Sequence, residues 1–107
     1  MDNTVVIKIG GATIDQAGVM EELAEDLHKL EGLFPIIVHG GGAEIGRYLK
    51  MLGKEFTFVK GLRVTDGDVV DVVEMVLSGR VNKKVVSLLS RHGVRGIGVS
   101  GKDLGLL

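Results

Sequence analysis

Two glycine clusters are the first candidates for chemistry in the sequence. Gly10-Gly11 comes directly after the apolar run Thr4–Ile9, and Gly40–Gly42, here called the glycine loop, comes directly after Phe34–His39. A strand that ends in glycines and leads into a helix offers free backbone N–H groups and the positive helix terminus to an anion. Glycine also lets the anion approach the main chain closely. The pattern predicts an anion site at the glycine loop, with a tight strand-to-helix turn as the alternative.

Two basic residues are candidates for the same site. Lys8 lies inside the first apolar run, where a lysine is costly unless its ammonium reaches a partner or solvent. Beside Gly10-Gly11 it can extend into the crevice at the strand end, and a snorkelling edge lysine is the alternative. Arg63 suits bidentate recognition of a carboxylate or phosphate, although its spacing alone favours a solvated surface arginine.

A third glycine-rich stretch matches two phosphate-binding motifs and is not expected to work as either. Gly96–Gly101 fits G-x-G-x-x-G, and with Lys102 it also fits G-x-x-x-x-G-K. Both motifs need the glycines to follow a strand and open a helix. Here the glycines overlap the predicted strand Val94–Ser100, and Asp103 stands where a P-loop needs Ser or Thr.

Other residue types that often carry chemistry give weaker signals. His28 and His92 fall on predicted helices without a second metal ligand at i+4, so they are interpreted as surface or half-buried residues. His39 directly precedes the glycine loop and is expected to orient it rather than to act in catalysis. The sequence contains no cysteine, which excludes disulfides and thiolate ligands, and we predict no metal site.

Strands alternate with helices along the chain, which predicts an α/β fold with a largely parallel sheet whose ligands bind beyond the carboxyl ends of the strands. The glycine clusters after the first two strands should therefore lie on one edge of the sheet. The predicted elements are strand Thr4–Ile9; helix Gln16–Glu31 with Asp15 as N-cap and Gly32 as C′; strand Phe34–His39; helix Ala43–Leu52 before Gly53; a hairpin of Phe56–Lys60 with Arg63-Val64; a capping box at Thr65–Asp68; a helical stretch Asp68–His92, bent or broken at Gly79 and closed by Gly93; and strand Val94–Ser100.

Composition limits the classes of partner. The chain has 107 residues with 13 Lys and Arg against 14 Asp and Glu, a net charge of −1 that disfavours nucleic acid. No apolar run approaches the roughly 20 residues of a membrane span, and the start lacks the features of a secretory signal. We expect a cytoplasmic protein without a membrane partner.

Several segments together resemble a known family. They are VVIKIGGATI, IIVHGGGAEIGRYLKMLG, FVKGLRVTD, VLSGRVNKKVVSLLSRHG and VSGKDLGLL. They are similar to the N-terminal half of the acetylglutamate kinase branch of the amino acid kinase family, and the similarity covers essentially the whole chain. HGGG followed by GLRVTD and GRVNK is the specific part and argues against the aspartate, uridylate and carbamate kinase branches. A sister kinase of carrier-linked aminoadipate, in lysine biosynthesis, stays open.

The resemblance implies a three-layer sandwich and transfer of the γ-phosphoryl group of ATP to the side-chain carboxylate of N-acetyl-L-glutamate, in arginine biosynthesis. It implies ATP with Mg²⁺ as co-substrate and a homodimer. It also implies roles for residues: Lys8 neutralises charge on the transferring phosphoryl group, Gly10 and Gly11 offer N–H groups near the phosphates, Gly41 and Gly42 hold the reacting carboxylate, and Arg63 pairs with the α-carboxylate.

Chains of that family are well over twice this length, and their second half binds the nucleotide. Residues 1–107 are therefore expected to be the amino-acid-substrate lobe, which is inactive without a C-terminal half. The N-terminal arm of arginine-inhibited members is also expected to be absent, so feedback inhibition by arginine is not expected. Two alternatives remain: a stand-alone binding module for an acylated amino acid, and a purely structural, dimerising fragment.

Overall fold

The computed structural model describes residues 3–54, 57–59, 62–64 and 67–107, the two short segments by their backbone. Strands and helices alternate as predicted, which confirms an α/β fold. The elements are β1 Thr4–Ile9, α1 Gly11–Ile14, α2 Val19–Lys29, β2 Phe34–His39, α3 Gly42–Met51, β3 Thr57–Val59, β4 Leu62–Val64, α4 Gly67–Glu74, a π-helical segment Met75–Val81, α5 Asn82–Arg91 and a 3₁₀ turn Asp103–Gly105.

The sheet that positions the glycine clusters consists of β1 and β2. The strands pair in parallel, in register from Thr4 opposite Phe34 to Ile9 opposite His39. Alternation along β1 buries Ile9 among the helices and leaves Val6 64% exposed on the other face. The predicted parallel sheet flanked by helices is confirmed, and the described helices cover one of its faces.

The helix after β1 starts later than predicted. Gln16 was expected to begin it behind an Asp15 cap, but α2 begins at Val19 and ends at Lys29. Gly18 precedes it in the left-handed region, with φ of 82°, so the helix does not extend backwards through this residue. Asp15 instead ends the one-turn helix α1.

The long helical stretch runs without a break from Gly67 to Arg91 and contains the π segment in its middle. Gly79 lies inside that segment, and Gly93 follows the end of α5 with φ of 84°. The spacing of the buried residues explains the π geometry. Successive buried residues of this stretch are three or four positions apart, except for one step of five from Val76 to Val81. Widening of the helix at that step keeps both valines on the buried face. These buried residues are Val69, Val72, Val76, Val81, Val85 and Leu89.

The predicted strand Val94–Ser100 is wrong. The segment runs beside β2, and a cleft of about 460 Å³ lined by residues of both lies between them. Gly96 and Gly98 disfavour a strand here, because glycine loses more conformational freedom on folding than any other residue. The carbonyl of Gly98, which a sheet ladder would use, instead accepts a hydrogen bond of 3.2 Å from Lys83 Nζ.

The remaining predictions concern the middle of the chain. β3 and β4 pair antiparallel, as predicted for the hairpin, in a sheet separate from β1 and β2. The proposed capping box at Thr65–Asp68 lies partly outside the described residues.

The radius of gyration, 15.3 Å, exceeds the roughly 13 Å expected for a compact domain of this length. Within the described part, no helix is both long and apolar enough to cross a membrane.

Candidate functional site

The two glycine clusters meet at one edge of the sheet. Ile9 and His39 are paired at the carboxyl ends of β1 and β2, so Gly10-Gly11 and the glycine loop leave the sheet side by side, as predicted. Gly11 and Gly41 line one narrow cleft together with residues of α3 and α5. Each strand leads directly into a helix, but α1 has four residues and α3 has ten. The longer helix supplies the stronger positive terminus.

The start of α3 provides the backbone donors that an anion site requires. Gly41 is the N-cap residue and contributes no side chain, while its carbonyl accepts the first helical hydrogen bond from Ile45, at 2.9 Å. Gly42 is the first residue of the helix. The N–H groups of the first turn have no acceptor within the helix, so they are available to a carboxylate or phosphate oxygen.

Gly41 is also a packing position. A Cβ there would lie 3.0 Å from Leu77 Cδ2 and 3.0 Å from Val81 Cγ2, both in the π segment. A Cβ on Gly40, by contrast, would meet no atom within 4 Å. The residue is therefore glycine because the π segment approaches its backbone closely, a reason that the sequence pattern did not reveal.

His39 holds the first residue of the glycine loop. Its Nδ1 lies 3.1 Å from the carbonyl oxygen of Gly40, and its Nε2 lies 3.1 Å from Nδ2 of Asn82. The first contact agrees with the predicted orienting role. Asn82 was not a predicted site residue, and the only sequence signal for it is its place in the GRVNK segment.

Lys8 lies one residue before the end of β1, opposite Val38, on the face of the sheet that the described helices leave open. Its side chain is exposed and forms no ion pair with any residue that the structure describes. The cost of a lysine in this apolar strand is thus avoided by contact with solvent, and the ammonium group remains available for a ligand at the strand end.

Glu44 adds a negative charge to the first turn of α3. Its carboxylate receives a 2.8 Å hydrogen bond from Arg47 Nε and lies 3.6 Å from Arg80 Nε. The hydrogen bond from Arg47 is the main reason that the pKa of Glu44 lies below its usual value. On the other side of the cleft, Lys84 Nζ is 3.0 Å from Asp15 Oδ1.

The remaining predicted site residue, Arg63, lies in β4. The structure describes only the backbone there, and β4 belongs to the sheet that is separate from β1 and β2. The described side chains therefore do not join Arg63 to the glycine loop.

The rejected motif shows no phosphate-loop geometry. Lys102 Nζ forms an ion pair of 2.6 Å with Glu74 Oε1, and the N–H of Ser100 donates to the carboxylate of Asp103 at 2.5 Å. The groups that would bind a phosphate are thus occupied by acidic side chains of the chain itself. The pKa of Lys102 is raised because Glu74 accepts its hydrogen bond.

Comparison with known proteins settles the family. The profile of the amino acid kinase family matches residues 3–107. The chain belongs to the amino acid kinase family. Among its relatives in this family, the acetylglutamate kinase of Syntrophobacter fumaroxidans is 52% identical over 97% of the chain, and that of Thiobacillus denitrificans is 48% identical over 95%.

This amino acid kinase chain spans about 36% of the length of both relatives. Solved structures also share its fold. The smu.665 protein of Streptococcus mutans UA159 has a TM-score of 0.70 and 32% identity over 88% of the chain, which covers 38% of that protein. N-acetylglutamate synthase from Neisseria gonorrhoeae, complexed with coenzyme A and N-acetylglutamate, has a TM-score of 0.66 and 25% identity over 89% of the chain, which covers 22% of it.

Proposed function

We propose that this chain is the amino-acid-substrate lobe of an acetylglutamate kinase, which transfers the γ-phosphoryl group of ATP to the side-chain carboxylate of N-acetyl-L-glutamate in arginine biosynthesis. The observation that carries the proposal is the meeting of two glycine-led strand ends at one sheet edge, in a chain 52% identical to an acetylglutamate kinase. The Neisseria synthase, solved with N-acetylglutamate, supports the same class of ligand.

In this proposal the glycine loop binds the reacting end of the substrate. N–H groups of Gly41 and Gly42, at the start of α3, face its side-chain carboxylate, and Arg63 pairs with the α-carboxylate. Neutral backbone donors suit this role, because they stabilise the anionic oxygens without removing the nucleophilic electron pair.

In this proposal the phosphates of ATP bind at the end of β1. Gly10 and Gly11 contribute N–H groups, and Lys8 neutralises charge on the phosphoryl group during its transfer. Positioning and charge neutralisation are most of what phosphoryl transfer requires from a protein. The described residues contain no acidic cluster that fits Mg²⁺, so in this proposal the ion arrives with ATP, and a C-terminal lobe binds most of the nucleotide.

The proposal extends to the assembly. In this proposal residues 1–107 form the substrate lobe of a cytoplasmic, homodimeric enzyme, and phosphoryl transfer also requires a nucleotide-binding lobe. Nucleic acid and membranes are not partners.

Complementation tests the function. The chain is mixed with, and in a second preparation fused to, the remaining part of the Syntrophobacter relative, and ATP-dependent phosphorylation of N-acetyl-L-glutamate is measured beside an aminoadipate derivative. We expect product from N-acetyl-L-glutamate only when both parts are present. Absence of product in both preparations, with each part folded by circular dichroism, would contradict the proposal, and preference for the aminoadipate derivative would move the chain to the sister branch.

Binding to the chain alone tests the substrate half separately. Arg63→Ala should weaken N-acetyl-L-glutamate binding by about 1.5–3 kcal/mol, the size of a hydrogen bond to a charged group. Arg95→Ala, at an exposed position in the segment after α5, is the matched control and should leave the affinity unchanged. Equal affinities for both variants would remove Arg63 from the site.

A further inference from the structure

We propose that Asn82 is a positioning residue for the glycine loop and acts through His39. The inference rests on the proposed function, because it concerns the backbone that would bind the substrate carboxylate. Asn82 is the first residue of α5, half-buried, and 43 residues from His39 in sequence.

The chemistry of its neighbours fixes the orientation of the Asn82 amide. Lys83 Nζ lies 3.0 Å from one end of the amide, and an ammonium group can only donate, so that end must be the oxygen Oδ1. The nitrogen Nδ2 then points to His39 Nε2, 3.1 Å away. The amide thus receives a hydrogen bond at one end and donates one at the other.

This orientation in turn selects one tautomer of His39. Because Asn82 Nδ2 donates, Nε2 of the imidazole must present its lone pair. The ring hydrogen is then on Nδ1, which lies 3.1 Å from the carbonyl oxygen of Gly40, an acceptor. The neutral Nδ1–H tautomer satisfies both contacts. The Nε2–H tautomer would place a donor against the Asn82 Nδ2 donor and an acceptor against the Gly40 carbonyl.

The held carbonyl sets the direction of the next N–H. In a planar trans peptide, the C=O of Gly40 and the N–H of Gly41 point in opposite directions. A hydrogen bond that draws the Gly40 carbonyl toward His39 therefore turns the Gly41 N–H away from the imidazole. This N–H precedes the first turn of α3 and is one of the donors assigned to the substrate carboxylate. Asn82 acts on it without touching the substrate.

The same chain of contacts offers a second way to disturb Asn82. Lys83 Nζ also donates to the carbonyl of Gly98, and a Cβ on Gly98 would overlap Oδ1 of Asn82. Gly98→Ala should therefore displace the Asn82 amide without removing it. Gly96→Ala is the matched control in the same segment, because nothing lies within 4 Å of its Cβ position.

The test uses this chain, ¹⁵N-detected NMR of the His39 imidazole, and titration with N-acetyl-L-glutamate. Asn82→Ala should convert His39 from the Nδ1–H form to a mixture of tautomers and shift the Gly41 amide resonance. The affinity should fall about three- to tenfold, the loss of one positioning hydrogen bond. Gly98→Ala should repeat these changes, and Gly96→Ala should not.

A conservative variant shows whether the effect passes through His39. The side-chain amide nitrogen of His39→Asn falls near the place of Nδ1 and keeps the donor to Gly40, so its affinity should stay within about twofold of the unmodified chain. Adding Asn82→Ala to this variant should cost nothing further.

Two results would overturn the inference: an unchanged His39 tautomer and Gly41 amide in Asn82→Ala and Gly98→Ala, or an additive loss in the double variant. If the unmodified chain does not bind N-acetyl-L-glutamate, the proposed function fails. The tautomer and amide measurements still decide whether Asn82 sets the loop.

Discussion

The glycine loop and the glycine-rich segment Gly96–Gly101 have similar composition and different surroundings. The glycine loop follows a paired strand and opens the ten-residue helix α3. Gly96–Gly101 lies largely in a segment without regular secondary structure and is followed by the three-residue turn Asp103–Gly105. Glycines permit close approach of an anion in both places, but only the glycine loop has a rigid strand behind it and aligned N–H groups ahead. The elements on either side therefore decide whether a glycine-rich stretch can bind an anion.

The lysines near the two stretches differ in the same way. Lys8 is free of ion pairs among the described residues, whereas Lys102 is bound to Glu74. In the complemented preparation, Lys8→Ala should lower phosphorylation of N-acetyl-L-glutamate by about 10²–10³-fold, as expected for loss of a preorganised group that stabilises the transition state. Lys102→Ala is the matched control and should change the rate less than about twofold. Equal losses of phosphorylation rate in the two variants would contradict the difference proposed between Lys8 and Lys102.

A methyl group placed inside the glycine loop should separate packing from ligand contact. Gly41→Ala forces a Cβ against Val81, a stiff β-branched side chain, and should lower the free energy of unfolding by about 1–3 kcal/mol. Gly40→Ala meets open space and should leave that free energy nearly unchanged. Urea unfolding of both variants measures the difference. A similar loss in both would mean that the π segment does not set the identity of residue 41.

Gly40→Ala has a second use, since its added methyl group meets no protein atom within 4 Å. If the substrate approaches the loop backbone, this variant should bind N-acetyl-L-glutamate more weakly while its unfolding midpoint stays in place. An affinity equal to that of the unmodified chain would place the ligand away from Gly40.

Local sequence patterns predicted the part of the fold that carries the glycine loop. The β-branched runs gave β1 and β2 with correct ends, and their parallel pairing follows from the helix between them. The start of α2 was missed because Gly18 adopts a left-handed conformation that no apolar spacing indicates. The π segment did leave a trace, the step of five residues from Val76 to Val81, which an ordinary helical interpretation treats as a break.

Contacts between distant parts of the chain could not be predicted. The strand expected at Val94–Ser100 has a suitable apolar pattern, but Lys83 occupies the carbonyl of Gly98. Asn82 reaches His39 across 43 residues, so neither sequence neighbourhood indicates the other. The candidate site residues were predicted from motifs, whereas the residues that orient them depend on how α5 packs against the end of β2.

The smallest expected effect concerns Glu44, the acidic residue in the first turn of α3. Arg47 lowers the pKa of Glu44, so its contribution to stability is complete above the ordinary value of 4.5 and is lost as the pH falls through the lower pKa of the folded state. Glu44→Gln should lower the melting temperature by about 2 °C at pH 7, because an exposed helical ion pair contributes little. This difference should shrink as the pH falls below 4.5 and disappear once the pH lies below the lowered pKa of Glu44 in the folded state.

Glu21→Gln is the matched control, since Glu21 occupies the same third position of α2 and the described residues supply it with no ion pair. Both variants lose the same interaction with the helix dipole, so a greater loss in Glu44→Gln isolates the contribution of the arginines. Removing this carboxylate also takes a negative charge from the turn that would receive an anionic substrate. The variant should therefore bind N-acetyl-L-glutamate slightly more tightly while being less stable, and weaker binding would show that Glu44 supports the loop rather than opposing the ligand.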